Sequence, residues 1–304
     1  MVPVRVSELQ SSPRAPLVAR ASLARAAEPI TAVLALDGDS SAAGLLAIAD
    51  WLSQHRDAKI RVLSVVDSAP APAVDGRVSR RHAVERALGT AADRSRWPVS
   101  VTVGSVASSV ADASVADDVQ LLVIGLPSRL GGRAPCDDAA LGIVRRSRKP
   151  VFAVARSLRV PPRTAIASID FTRSSLHAAR AALKLLAPGG TLYLAHVQPQ
   201  LERADESLQV VYAQGIAAAF DRVVNELGAP NDVVVQPVIL QGNARDELNA
   251  FAERVDADLI ALGTSAPDPT RLNGGRLSAA MLRAATRSLL IAPAAETHGR
   301  HSDE

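Results

Sequence analysis

One pattern of residues occurs twice in this chain, and that repetition limits the possible folds more than any other feature. The segment TAVLALDGDSSAAGLLAIADWL (31–52) matches TAIASIDFTRSSLHAARAALKLL (164–186) in pattern. Each has a short apolar run, an Asp at its end, Ser or Thr, and then an Ala/Leu-rich stretch. The paired aspartates, Asp37 and Asp170, stand 133 residues apart. Further on, Gly104 pairs with Gly242, Gly125 with Gly263 and Val151 with Leu289, each at 138. The step from 133 to 138 places a five-residue insertion in the middle of the second copy. Two copies of one domain therefore account for most of the 304 residues.

Within each copy, short apolar runs alternate with longer stretches of helical period. Strands are expected at 31–36, 60–66, 99–103, 121–124 and 151–155, and again at 165–169, 191–197, 233–240, 259–262 and 289–292. After Asp170, Leu176, Ala179, Leu183 and Leu186 recur at helical spacing, as do Leu248, Phe251, Ala252 and Val255. Thr172 or Ser174 caps the first of these helices, and Pro188-Gly189-Gly190 ends it. Runs such as LLVIG and LIALG are apolar on both faces, as in a parallel sheet covered by helices on each side. The expected class is α/β: two tandem, doubly wound domains, each on a five-stranded parallel sheet. The first covers 29–155 and the second 164–295, joined by a linker at 156–163. Residues 1–28 read as a disordered extension in preference to a transit-like leader, and 296–304 as a disordered tail.

Composition excludes several classes of function. Hydrophobic residues make up 48%, enough to build a core. Basic and acidic residues number 34 and 31, too balanced for a protein that works mainly on phosphate backbones. Eight aromatics argue against a base-stacking surface, so nucleic acid is not an expected partner. Cys136 is the only cysteine, which removes internal disulfides and Cys-based zinc clusters. It is expected in a loop. No apolar run approaches the ~18 residues that span a bilayer, and a cytoplasmic location is expected.

Ligands of doubly wound sheets bind beyond the carboxyl ends of the strands, where strand order reverses. Asp37 and Asp170 follow first strands, Gly104 and Gly242 third strands, and Gly125 and Gly263 fourth strands. Glycine there lets backbone amides approach a phosphate, or simply makes a tight turn. Asp at a strand end equally serves as a cap. His196 reads as a satisfied core or rim histidine, and His298 and His301 as tail residues, so no metal site is expected. Nine Arg/Lys within 129–163 read as helix-end cations and a solvated linker.

The first-strand Asp, Ala195-His196-Val197 and QGNARDELNAFAERVDADLIALG (241–263) together resemble a universal stress protein domain. The first copy matches through ALDGDSSA (35–42), VLSVVD (62–67), VGSVASSVADASV (103–115) and LLVIG (121–125). The resemblance covers roughly 30–156 and 164–295. It implies a tandem form in which two domains pair through their fifth strands about a pseudo-twofold axis. It also implies an ATP signature, Gly-x2-Gly-x9-Gly-Ser/Thr, after the fourth strand, with the first-strand Asp and a second-strand Val lining adenine and ribose. In the first copy Ser128 replaces the second glycine, and Asp137-Asp138 occupy the Gly-Ser positions. Carboxylates beside a triphosphate repel it, so Asp37, Gly104 and Gly125 are read as vestigial. In the second copy Ala266 replaces the second glycine, while Gly275-Arg276 stand at the distal positions. The ATP site implied there comprises Asp170, Val197, Gly242, Gly263, Gly275 and Arg276, with Arg276 able to hold a phosphate.

The resulting expectation is a non-catalytic stress-response protein acting through binding and regulation of protein partners. The alternative is an ATP-binding stress sensor using the second domain, with slow hydrolysis. No cofactor other than ATP is expected.

Overall fold

The computed structural model describes residues 30–37, 42–67, 74–89, 94–126, 136–158, 160–198, 206–264 and 276–293. The expected extensions 1–28 and 296–304 lie outside these. The first repeat runs β1 (Thr31–Ala35), α1 (Ala43–His55), β2 (Lys59–Val66), α2 (Val74–Leu88), β3 (Val99–Val103), α3 (Val106–Asp112), β4 (Leu121–Gly125), α4 (Cys136–Arg146) and β5 (Val151–Val154). The second runs β6 (Thr164–Ser168), α5 (Arg173–Leu185), β7 (Thr191–Gln198), α6 (Glu206–Leu227), β8 (Val234–Gln241), α7 (Ala244–Arg254), β9 (Leu259–Thr264), α8 (Arg276–Ala284) and β10 (Ser288–Pro293). All ten expected strands form, with ends moved by at most two residues. Cys136 is a correction: it opens α4 instead of lying in a loop. Val255 likewise falls just past α7, as its C-cap.

Both halves are parallel and doubly wound, and they merge into one sheet of order β3-β2-β1-β4-β5-β10-β9-β6-β7-β8. The merger is antiparallel, with Ala153 opposite Leu289, Phe152 opposite Leu290 and Val151 opposite Ile291. Phe152 and Leu290 occupy the same place in the two repeats, so the pseudo-twofold axis passes between them. Both are fully buried.

Alternation along the strands divides the core into two layers. Ala32, Leu34, Phe152, Ala165 and Leu290 face one layer, which also holds Leu45 and Leu52 of α1, Val84 of α2, Leu183 of α5 and Phe220 of α6. Val33, Leu122, Val151, Ile166 and Leu289 face the other, with Val110 of α3, Ile143 of α4, Phe251 of α7 and Met281 of α8. Each layer is continuous across the axis. Burial on both faces explains the unbroken apolar runs of the central strands. The sheet's last strand, β8, carries Pro237 within it. A proline lacks the N–H that a further strand would use, which blunts that edge.

The join between repeats is more firmly held than a solvated linker. Leu158 and Pro162 are buried. Arg163 N and Thr164 N donate to Asp258 Oδ2 at 2.8 and 3.1 Å. Arg56, at the end of α1, lies over the Trp51 ring and donates to Leu186 O at 2.8 Å, tying the ends of α1 and α5 together. The α1 helix is also fixed to the segment before β3, where Arg94 Nε donates to Asp50 Oδ1 at 2.9 Å. That hydrogen bond raises the already high pKa of the guanidinium.

At the axis the two copies differ in one polar detail. Buried Ala155 N donates to Ser288 Oγ at 3.0 Å. The corresponding residues on the other side are Pro293, which has no N–H, and Pro150, which has no hydroxyl. Each side of the seam is thus satisfied by different means. Ser288→Ala leaves the Ala155 N–H buried without a partner, and should cost about 1–3 kcal/mol in urea unfolding of the full chain.

Candidate functional site

Strand order reverses between β1 and β4 in the first repeat and between β6 and β9 in the second. Beyond their carboxyl ends lie the residues singled out above. In the second repeat Asp170 follows β6 and is exposed. Its Oδ1 accepts from Thr172 N at 3.1 Å and from Thr172 Oγ1 at 2.6 Å, closing a turn of its own. Thr172 then caps α5, accepting from Ser175 N at 3.3 Å. This settles the choice between Thr172 and Ser174 as the cap. Asp170 is therefore held by the loop it stands in.

Phe171, between them, has φ 62°, a left-handed conformation that a bulky side chain rarely adopts. The first repeat has Gly38 at the matching position, and that glycine is the sequence signal for such a turn. Ring contacts compensate at Phe171. Its ring lies 4.9 Å from that of His196 and 5.4 Å, edge-on, from that of Phe220. His196 is half-buried and places Nδ1 2.8 Å from Ile169 O, as a donor. The rim reading of His196 is thereby met. An aromatic wall thus flanks the crevice, and sequence reasoning did not assemble it. Val197 is half-buried one residue further along β7.

The fourth-strand glycines, expected after the strands, lie within their final residues and differ in role. A Cβ on Gly263 would lie 2.4 Å from both Ser174 C and Ser175 N, so α5 rests directly on β9. Glycine is required there by helix–strand packing alone. A Cβ on Gly125 would meet Leu45 Cδ1 at 3.5 Å, an ordinary contact.

The third-strand glycines share a backbone requirement, with φ 153° at Gly104 and 138° at Gly242. What lies above them does not match. Over Gly104 is Ser109, whose Oγ is 3.4 Å from a constructed Cβ. Over Gly242 is Glu247, with Oε1 at 3.0 Å from that point. Ser109 and Glu247 are equivalent at the offset of 138, so this divergence is legible once the repeats are aligned. The α7 N-terminus beside it is already occupied. Asn243 Oδ1 accepts from Arg245 N at 3.1 Å and Asp246 N at 3.4 Å, and Asp246 and Glu247 lie in the first turn. Acidic side chains there neutralise the helix dipole that would otherwise favour an anion.

Of the remaining candidates, Asp37 follows β1 and is exposed, and its carbonyl oxygen accepts from Arg80 of α2. Arg276 is the first residue of α8 and is exposed. Asp137 and Asp138 lie in the first turn of α4, a position that suits carboxylates, although their side chains fall outside the described residues. Gly275, Ser128 and Ala266 also lie outside them. The structure thus brings Asp170, Val197, Gly242, Gly263 and Arg276 to one end of the second sheet, with Gly275 outside the description. Among the described residues no group of three or more His, Cys, Asp or Glu could hold a metal ion, and no helix is long and apolar enough to cross a membrane.

Residues 163–293 match the universal stress protein family. No curated protein matches the chain. A universal stress protein from Archaeoglobus fulgidus has a similar structure, with TM-score 0.58 at 17% identity over 86% of this chain and 98% of that one. A functionally unknown protein from Pseudomonas aeruginosa gives TM-score 0.62 at 16% identity, over 89% of this chain and 94% of its own. Likeness over both repeats supports the tandem arrangement.

The contrast between the two fourth-strand glycines is measurable. Gly263→Ala should lower unfolding stability by about 1–3 kcal/mol, because backbone must move to admit the methyl group. Gly125→Ala should be neutral or slightly stabilising by denaturant titration, since the added Cβ fits.

Proposed function

We propose that this chain, whose second half belongs to the universal stress protein family and whose first half repeats its fold, acts in stress response without catalysis. Its work is binding, and through binding the regulation of protein partners in the cytoplasm. The observation that carries this reading is the Glu247 side chain lying over Gly242. A polyphosphate approaching that turn meets a carboxylate where the first repeat has a serine, and like charges in a partly dehydrated crevice repel strongly. Asp246 is answered by Arg245 at 2.9 Å, and Asn243 already takes the two amides that a phosphate oxygen would need. Among its described residues the crevice holds no matched acid and base. Asp170 is bonded to Thr172, and His196 to a backbone carbonyl.

A second reading, ATP sensing by the second repeat with slow hydrolysis, draws support from Arg276. A cation in the first turn of α8 opposes the helix dipole, and an anionic ligand would turn that cost into a gain. The ATP site would then comprise Asp170, Val197, Gly242, Gly263, Gly275 and Arg276, with the vestigial set Asp37, Gly104 and Gly125 in the first repeat.

Ligand-observed NMR of the full chain with ATP separates the two. Non-catalytic action without nucleotide predicts no saturable signal at about millimolar ATP and no phosphate release. A saturable signal that Arg276→Glu abolishes would overturn that reading in favour of the sensor. In the first case Glu247→Ser, which copies the first repeat, should raise ATP affinity.

A further inference from the structure

A cavity of about 310 Å³ opens at the junction of the two repeats, away from the crevices described above. One wall is the amino end of the first repeat's strands: Ile30 before β1, Gln120 and Leu121 at β4, and Pro150 before β5. The other wall is a flank of α5, with His177, Arg180, Ala181, Lys184 and Leu185 at spacings of 3, 1, 3 and 1. That flank lies beside the stripe of Leu176, Ala179, Leu183 and Leu186 that α5 buries in the core. The cavity therefore exists only because the repeats are docked as they are.

Its lining joins an apolar floor to a basic rim. Among the described residues Arg148, Lys149, Arg180 and Lys184 line it and no acidic residue does, while His177 donates Nδ1 to Pro293 O at 2.7 Å. Arg180 reaches Glu226 Oε1 at 3.0 Å, so its charge is partly answered. Lys149 and Lys184 have no carboxylate partner among the described residues. Cations gathered around an apolar hollow repel one another, and an anion placed between them relieves that repulsion. The chain contains only three lysines, and two of them meet here from different repeats.

The pseudo-twofold axis supplies an internal comparison. Lys184 corresponds to Trp51, which is buried and stacks on His55. Lys149 corresponds to Arg287, which pairs with Asp256 at 3.3 Å and donates to Ala257 O at 2.6 Å. Gln120 corresponds to Asp258, whose carboxylate accepts from Arg163 and Thr164. In that copy the equivalent residues are packed or neutralised. In this one they line an open, cationic cavity.

We propose that the junction binds a small amphipathic anion, a phosphate or carboxylate carried on a compact apolar body. Lys149 and Lys184 hold the charged head, and Ile30, Leu121, Pro150, Ala181 and Leu185 receive the body. The volume is at the lower end of small-ligand pockets and suits a single ring or a short branched chain.

Isothermal titration of the full chain with phenyl phosphate, benzoate and inorganic phosphate at low salt tests this. The two aromatic probes should bind more tightly than inorganic phosphate, and their ranking identifies the preferred head group. Lys149→Gln with Lys184→Gln should weaken binding about tenfold. Lys59→Gln, the third lysine and outside the cavity, should leave it unchanged. Ala181→Leu, which fills the floor and alters no charge, should also weaken it, and carries the test if the double variant does not fold. Absence of binding at about 10 mM aromatic probe would overturn the proposal. So would an affinity for inorganic phosphate equal to that for the aromatic probes, or an equal loss on Lys59→Gln.

Discussion

The antiparallel pairing of β5 with β10 is the contact on which the rest of the molecule depends. Each repeat alone would leave its fifth strand as a sheet edge, with one row of backbone groups unpaired and an apolar face bare. Pairing closes both edges at once. It lets the two core layers run without interruption through Phe152 and Leu290. It also fixes the direction of everything else, because antiparallel docking puts the amino end of one repeat's strands beside the carboxyl end of the other's. The two carboxyl-end crevices consequently open at opposite ends of the ten-stranded sheet, while the flank of α5 comes to face the amino ends of β1, β4 and β5.

Within that frame the central strands of the two repeats have stayed alike, while their turns have diverged. The strands match in register, and the central ones, β1 with β6, β4 with β9 and β5 with β10, match in burial too. The turns do not. Gly38 corresponds to Phe171, Ser109 to Glu247, Ser105 to Asn243 and Asp138 to Arg276. The reason is energetic. A change inside the sheet disturbs two core layers, whereas a change at a turn alters charge and shape at little cost to packing. Charge of opposite sign has accumulated at the two α4/α8 helix starts, with acids at α4 and Arg276 at α8.

Much of this architecture was legible in the residues. The repeat, read with the periodicity of its apolar runs, placed all ten strands, and the paired glycines Gly104 and Gly242 marked the turns after the third strands. Gly263 had a reason that sequence alone does not give. Its need arises from α5 lying on β9, where Ser174 and Gly263 meet 89 residues apart in the chain. Cys136 was misplaced because the residues just before it, Arg133-Ala134-Pro135, include no Ser, Thr, Asp or Asn to signal a helix start. The stretch 156–163 was read as a solvated linker because it is short, basic and proline-bearing, and only docking of the repeats reveals that Leu158 and Pro162 are covered. The lysines of the junction were invisible for the same reason: Lys149 and Lys184 are 35 residues apart and belong to different repeats.

The unequal seam at Ser288 and Pro150 has a consequence for how such a molecule can change. In a dimer of identical chains, any substitution near the axis arrives twice, and both sides must accept it. Here the hydroxyl that receives Ala155 N stands on one side alone, opposite a proline that needs nothing. Covalent fusion has released the two halves from enforced identity. One mutation in the gene alters one face only, and the other half remains as the unaltered support on which a new specificity can be tried.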